Sequence, residues 1–153
     1  AGMLPTRGAL LHRLRSSHDE AEVVAALSQI GALKTCAEYS MAVSAWGRIG
    51  PRGAPRVHAL LAEMEARRVA KDTWLYTAAI SALSGADRPA EALALFESML
   101  GDASCPPNVV TFSAAVSACE RAGGRVEQAR RIFRTMEARG VRPNTVTYNA
   151  LIS

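Results

Sequence analysis

The chain has 153 residues, 49% hydrophobic and 21% charged, the balance of a folded domain and not of a disordered segment. No run of about 18 apolar residues occurs, so no transmembrane helix and no membrane insertion are expected. The 18 Lys and Arg against 14 Asp and Glu leave a charge of +4, an excess that permits a nucleic-acid partner without demanding one.

In chain order, residues 1–35 come first. Their opening carries Arg7, Arg13, Arg15, Ser16 and Ser17 with no acid before Asp19, a composition shared with organellar transit peptides. The spacing of Leu10, Leu11 and Leu14 predicts instead one face of a helix, and Val23, Val24 and Leu27 predict a second. Residues 36–72 begin a clearer pattern. Tyr39, Ala42, Val43 and Trp46 form one helical stripe, and Val57, Leu60, Leu61 and Met64 form another. Between them lie the breakers Gly47, Gly50, Pro51, Gly53 and Pro55.

Residues 73–108 repeat this with Tyr76, Ala79, Ile80 and Leu83, then Ala92, Leu95, Phe96 and Met99. Residues 109–144 repeat it with Phe112, Ala115, Val116 and Cys119, then Ala129, Ile132, Phe133 and Met136. Residues 145–153 hold only a beginning, Tyr148, Leu151 and Ile152. The leading aromatics are spaced by 37, 36 and 36 residues, the mark of a repeat architecture. Each unit reads as helix A, turn, helix B, turn, with residues 1–35 as a degenerate first unit.

One hairpin cannot bury both its apolar faces, so the units must stack. The expected fold is all-α, an α-solenoid of antiparallel helix-turn-helix repeats. The last helix A has no helix B after it here. Its three apolar side chains are expected to be covered by more of an array or by a partner, since each left wet forfeits about 1.5–3 kcal/mol.

The segment NVVTFSAAVSACERAGGRVEQARRIFRTMEARGVRP, followed by NTVTYNALIS, carries a Val-Thr-Tyr-Asn opening, a Phe-x-x-Met end of helix B and a Gly-Val-x-Pro-Asn junction. In these features residues 36–153 resemble the pentatricopeptide repeat family. The resemblance implies a right-handed superhelix that binds single-stranded RNA, one base per repeat. It implies base-reading pairs made of the residue after the helix-A aromatic and the last residue of the unit: Ser40 with Asp72, Thr77 with Asn108, and Ser113 with Asn144. Asn149 stands at the first of these places in the last unit. The second residue of each unit, Ala37, Trp74, Val110 or Val146, is then the apolar wall against which a base lies.

By the family's pairing rule the register is G-A-A-pyrimidine, and the setting is a plastid or mitochondrion. The alternative is a scaffold subunit of an organellar ribosome or RNA polymerase, its partners being proteins or ribosomal RNA.

The residues also admit plainer readings. Asp72, Asn108 and Asn144 precede helices and are good N-caps, and Ser40, Thr77 and Ser113 could be small surface residues. Trp74 could stack on a base, but packing in the groove between repeats is the favoured expectation for so large a ring. Arg48 and Arg121 end helix A at matching places and are the candidates for phosphate contact, Gly85 standing there in the middle unit.

Cys36, Cys105 and Cys119 form no Cys-x-x-Cys pair and are expected reduced, without metal. His12, His18 and His58 show no ligand spacing, and Gly123-Gly124 lacks the Lys-Ser or Lys-Thr of a phosphate loop. Glu91, Glu97, Glu127 and Glu137 are expected in i,i+4 pairs with arginines on solvent faces. No cofactor and no catalytic activity are expected.

Overall fold

The computed structural model describes residues 5–152; residues 1–4 of the first unit and Ser153 of the last lie outside them. The described residues form α-helices throughout, apart from a 3₁₀ turn at Pro51–Gly53. They are α1 (Arg7–Ser16), α2 (Glu20–Ile30), α3 (Cys36–Ile49), α4 (Ala54–Ala66), α5 (Thr73–Gly85), α6 (Pro89–Leu100), α7 (Val109–Arg121), α8 (Val126–Ala138) and α9 (Thr145–Ile152). None is long and apolar enough to cross a membrane.

Odd-numbered helices are the A helices of the repeat and even-numbered ones the B helices. Most A helices start at a side-chain cap that takes up an otherwise orphaned backbone N–H: Thr6, Thr35, Asp72 and Asn108 on α1, α3, α5 and α7. Prolines stand in the first turn of α4 and α6, where no N–H is missed. Helix α8 ends at Gly140 (φ 71°), whose left-handed backbone lets Val141 N–H reach the Met136 carbonyl at 3.0 Å. Two units earlier Arg68 takes the same conformation (φ 55°) and Val69 closes the same bond to Met64. An L residue there costs about 1 kcal/mol.

The helical stripes are the core. Tyr39, Ala42 and Val43 on α3, Ala79 and Ile80 on α5, and Phe112, Ala115, Val116 and Cys119 on α7 are each fully buried, as are Met64, Met99 and Met136 from the B row. Phe96 and Phe112 meet edge to face with ring centres 5.4 Å apart. The Tyr39 hydroxyl donates to Glu63 Oε1 at 2.7 Å and accepts from Arg67 Nη1 at 2.9 Å, which also reaches the Leu33 carbonyl. That cluster ties helix A to helix B and both to the preceding linker.

Successive A helices, α1, α3, α5, α7 and α9, lie directly against one another, while each B helix packs chiefly on its own A helix and the next. Close spacing in the A row and wider spacing in the B row bend the stack toward the A side. Helices α3 and α5 come close at Gly47, where an added Cβ would stand 2.7 Å from Ala82 Cβ. Helices α1 and α2 form a hairpin that docks through α1 on α3, with Leu10 and Leu14 buried. The opening arginine-rich stretch is therefore helical.

At the other end Tyr148 and Ile152 remain 51% and 82% exposed. Beside them a groove of about 380 Å³ runs between α8 and α9, with Phe133 and Leu151 in its wall. Cys105 and Cys119 are buried and Cys36 half-buried; burial pushes the Cys119 thiol up to about 11, so it is not a ready nucleophile.

Candidate nucleic-acid interface

The helix period decides which residues stay in solvent along the A row. Two residues correspond to about 200° of turn, so the side chain two before each leading aromatic lies on the opposite side of its helix. Val110, Val146 and Trp74 are accordingly 52%, 54% and 75% exposed, and Ala37 is exposed beside them. The expectation that Trp74 fills an inter-repeat groove is wrong. At the second place of the helix its ring stays largely in solvent, bordering a cavity with Ser40 and Ser44 of the preceding unit.

The residue after the aromatic lies at the edge of the core. Thr77 and Ser113 are 8% and 6% exposed, and their hydroxyls are held by the next unit. Ser113 Oγ lies 2.8 Å from Thr147 Oγ1 and 3.2 Å from Asn144 Oδ1. Thr77 Oγ1 lies 2.8 Å from Thr111 Oγ1, which in turn donates to Asn108 Oδ1 at 3.0 Å. Both pairs expected from the sequence, Thr77 with Asn108 and Ser113 with Asn144, thus belong to one connected group, the first through a bridging threonine.

The amide oxygens do double duty. Asn108 Oδ1 accepts from the Thr111 backbone N–H and Asn144 Oδ1 from that of Thr147, both at 3.0 Å. A backbone N–H only donates, so the atom facing it is oxygen. The amide nitrogens Nδ2 are therefore turned outward, donating to no other described residue. Capping and display are two ends of one amide group.

The first pair differs. Asp72 caps α5 through Oδ1, 2.8 Å from Leu75 N–H, but shares no hydrogen bond with Ser40. Burial, and next the Asp72 charge, push the Cys36 thiol pKa up. Ser40 Oγ is buried and makes no hydrogen bond to any described residue. It lines a cavity of about 290 Å³ with Ser44, Arg48, Trp74 and Ala78. Asn149 is exposed on α9, in register with Ser40, Thr77 and Ser113.

Comparison with known proteins identifies the repeat. The family "Pentatricopeptide repeat domain" matches residues 107–153, and "PPR repeat" matches residues 74–102. The chain belongs to the pentatricopeptide repeat family. Among its relatives are two chloroplastic pentatricopeptide repeat-containing proteins of Arabidopsis thaliana. One is 32% identical over 97 residues, 63% of this chain and 19% of that protein. The other is 29% identical over 106 residues, 69% and 22%.

A crystal structure of the pentatricopeptide repeat protein PPR10 in complex with an 18-nucleotide psaJ RNA element superposes on 98% of the chain with a TM-score of 0.78 at 31% identity. That of PPR10 from maize superposes on 97% with a TM-score of 0.63 at 28% identity. The chain spans about a fifth of the length of the two relatives and of PPR10 in the complex.

Within this pentatricopeptide array the two matched arginines have a structural task. Arg48 donates to the Leu14 and Ser17 carbonyls, at 2.6 and 3.0 Å, and Arg121 to the Ser84 carbonyl at 2.9 Å. Each caps the carboxyl end of the A helix one unit earlier, where carbonyls lack partners. Desolvation pushes the Arg48 pKa down. Their guanidinium groups are thus engaged by backbone, which the sequence did not reveal.

Sequence reading also missed Glu38. It is 8% exposed and accepts from Arg7 Nε and Nη2, both at 2.8 Å, and from the Lys34 N–H at 2.6 Å. The Arg7 hydrogen bond, reinforced by those from the Lys34 and Thr35 amides, holds its carboxyl down to about 2 against the opposing effect of burial. The signal was present as Thr35-x-x-Glu38, a capping box.

The acidic residues on the B row correct another expectation. Glu91 pairs with His58 and Glu97 with Arg131 at 2.5 Å, linking successive B helices across about one unit. Glu127 pairs with Arg130 and Glu91 with Arg88 at i,i+3. The i,i+4 spacing belongs to Arg67 and Glu63.

Proposed function

We propose that the chain binds single-stranded RNA along its A row, one base to each repeat, as part of a plastid protein acting on organellar transcripts. The observation that carries this reading is the shared register of two kinds of group. Ala37, Trp74, Val110 and Val146 offer exposed apolar faces at one turn. The outward amides of Asn108 and Asn144 and the carboxylate of Asp72 stand at the start of the next A helix. A single-stranded base has a flat face and a polar edge, and needs one of each. The RNA complex of PPR10 and the chloroplastic relatives support the ligand class and the compartment.

Base chemistry gives the pairs different preferences. An outward Nδ2 donates, which suits N1 of adenine. The second oxygen of Asp72 accepts, which suits the N1–H and N2–H₂ groups of guanine. The proposed order is guanine, adenine, adenine and, at Asn149, a pyrimidine. Trp74 stacks on a base, a contact of about 1–3 kcal/mol.

The test is selection of RNA from a random pool by the chain. Enrichment of purines at three consecutive positions, lost when Thr77 and Asn108 are both replaced by alanine in a chain that still folds, is the expected result. A selected pool without purine preference refutes the reading.

A further inference from the structure

The A helices carry a second variable place that the base-reading pairs do not include: the third residue, which faces the preceding unit. It is Leu75 on α5, Thr111 on α7 and Thr147 on α9. We infer that this residue sets the hydrogen-bond polarity of the reading hydroxyl one unit earlier, making Thr77 and Ser113 acceptors and leaving Ser40 a donor. The inference rests on the RNA-reading role proposed above and deepens it.

A hydroxyl has one proton to give. Thr77 has two internal acceptors for it, Thr111 Oγ1 and the Thr73 carbonyl, each at 2.8 Å. Ser113 likewise has Thr147 Oγ1 and Asn144 Oδ1. Whichever is chosen, the proton points into the stack and a lone pair is what remains for a ligand. Thr111 and Thr147 are themselves fully buried, with their own protons committed to Asn108 and Asn144.

At the α3–α5 junction the register places a leucine where the two following junctions have threonine. Leu75 is fully buried and cannot accept. Ser40 Oγ therefore keeps its proton, unpartnered, beside the cavity that Trp74 borders. A buried hydroxyl without a partner is costly, and the cost is recovered when a ligand acceptor arrives.

The polarities match the pairs. Lone pair plus outward Nδ2, at Thr77 with Asn108 and Ser113 with Asn144, complements the N6–H₂ donor and N1 acceptor of adenine. Free O–H plus carboxylate, at Ser40 with Asp72, complements the O6 acceptor and N1–H donor of guanine. Thr111 and Thr147 are in this sense positioning residues, and Leu75 acts by omission.

The decisive substitution is Leu75→Thr, with Leu75→Val as a control of similar size and no hydroxyl. Binding to short single-stranded RNAs is followed by fluorescence anisotropy, with guanine or adenine opposite residues 36–72 and the other bases constant. In the unmodified chain guanine is preferred. In Leu75→Thr that preference falls about fivefold or more, purine preferences at the next two positions are unchanged, and Leu75→Val leaves the guanine preference in place.

An arm without RNA reads the hydroxyl protons by NMR. Those of Thr77 and Ser113 exchange slowly, that of Ser40 exchanges fast, and Leu75→Thr slows it. A guanine preference unmoved by Leu75→Thr, or a Ser40 proton as slow as the others in the unmodified chain, overturns the inference alone. Absence of any base preference in the unmodified chain overturns the reading on which it stands.

Discussion

The α1–α3 and α7–α9 junctions place different chemistry at one backbone position. At the first, the third residue of the later helix is Glu38, an ion clamped by Arg7 and two backbone amides. At the second it is Thr147, a neutral hydroxyl shared between Ser113 and Asn144. Both fill the same space between two A helices. The charged version fastens the amino-terminal hairpin and makes its docking depend on pH. The neutral version is indifferent to pH and leaves an amide on display. A repeat can thus spend one structural place on holding or on presenting, without altering its backbone.

Replacing Glu38 by glutamine should have the largest effect. It removes a buried charged acceptor of bonds from Arg7 and two amides, and a loss of about 2–3 kcal/mol in urea unfolding is expected. The carboxyl titrates near 2 in the folded chain against an ordinary 4.5. A pKa depressed on folding means that the unfolded chain binds the proton more readily. The stabilisation is complete above about pH 5 and disappears as pH falls from there to about 2. Melting temperature in the unmodified chain should drop across that window, and Glu38→Gln should flatten the drop. An unchanged slope would mean that the clamp is not what fastens α1.

Thr147→Val attacks the neutral junction and should cost about 1 kcal/mol, with no change in the acid profile. The two variants together separate a charged staple from a hydrogen-bonded one. Trp74→Ala sharpens the contrast between holding and presenting. With its ring 75% exposed, stability should move by less than about 0.5 kcal/mol, while RNA affinity falls by about 1–3 kcal/mol. A large loss of stability with intact affinity would return Trp74 to a packing role.

Much of the candidate site's layout was readable along the chain. The second-place row follows from the helical period once the buried aromatics are known, and the pairs of Thr77 with Asn108 and Ser113 with Asn144 do come together. What escaped were contacts between residues about 34 apart, such as Thr77 with Thr111. No local pattern distinguishes a third-place threonine that bonds to the unit before it from one that faces solvent. Arg48 and Arg121 escaped for the same reason, because their partners are carbonyls at the end of another helix.

Trp74 shows the opposite failure, a general preference of large aromatics for burial overruled by its angular position on α5. The B-row acids were misread too. Local spacing suggested pairs within a helix, whereas Glu97 finds Arg131 on the following B helix.

By itself the order of residues determined where helices start and stop and which face of each is apolar. Those properties depend on neighbours within four residues: caps, glycine turns and a stripe repeating every turn. Stacking decided the rest. It brought Leu75, Thr111 and Thr147 into line with the hydroxyls of the preceding units, and so settled which of those hydroxyls finds a hydrogen-bond partner in the next unit. That outcome depends on distances across two packed helices, which exist only after the units have docked.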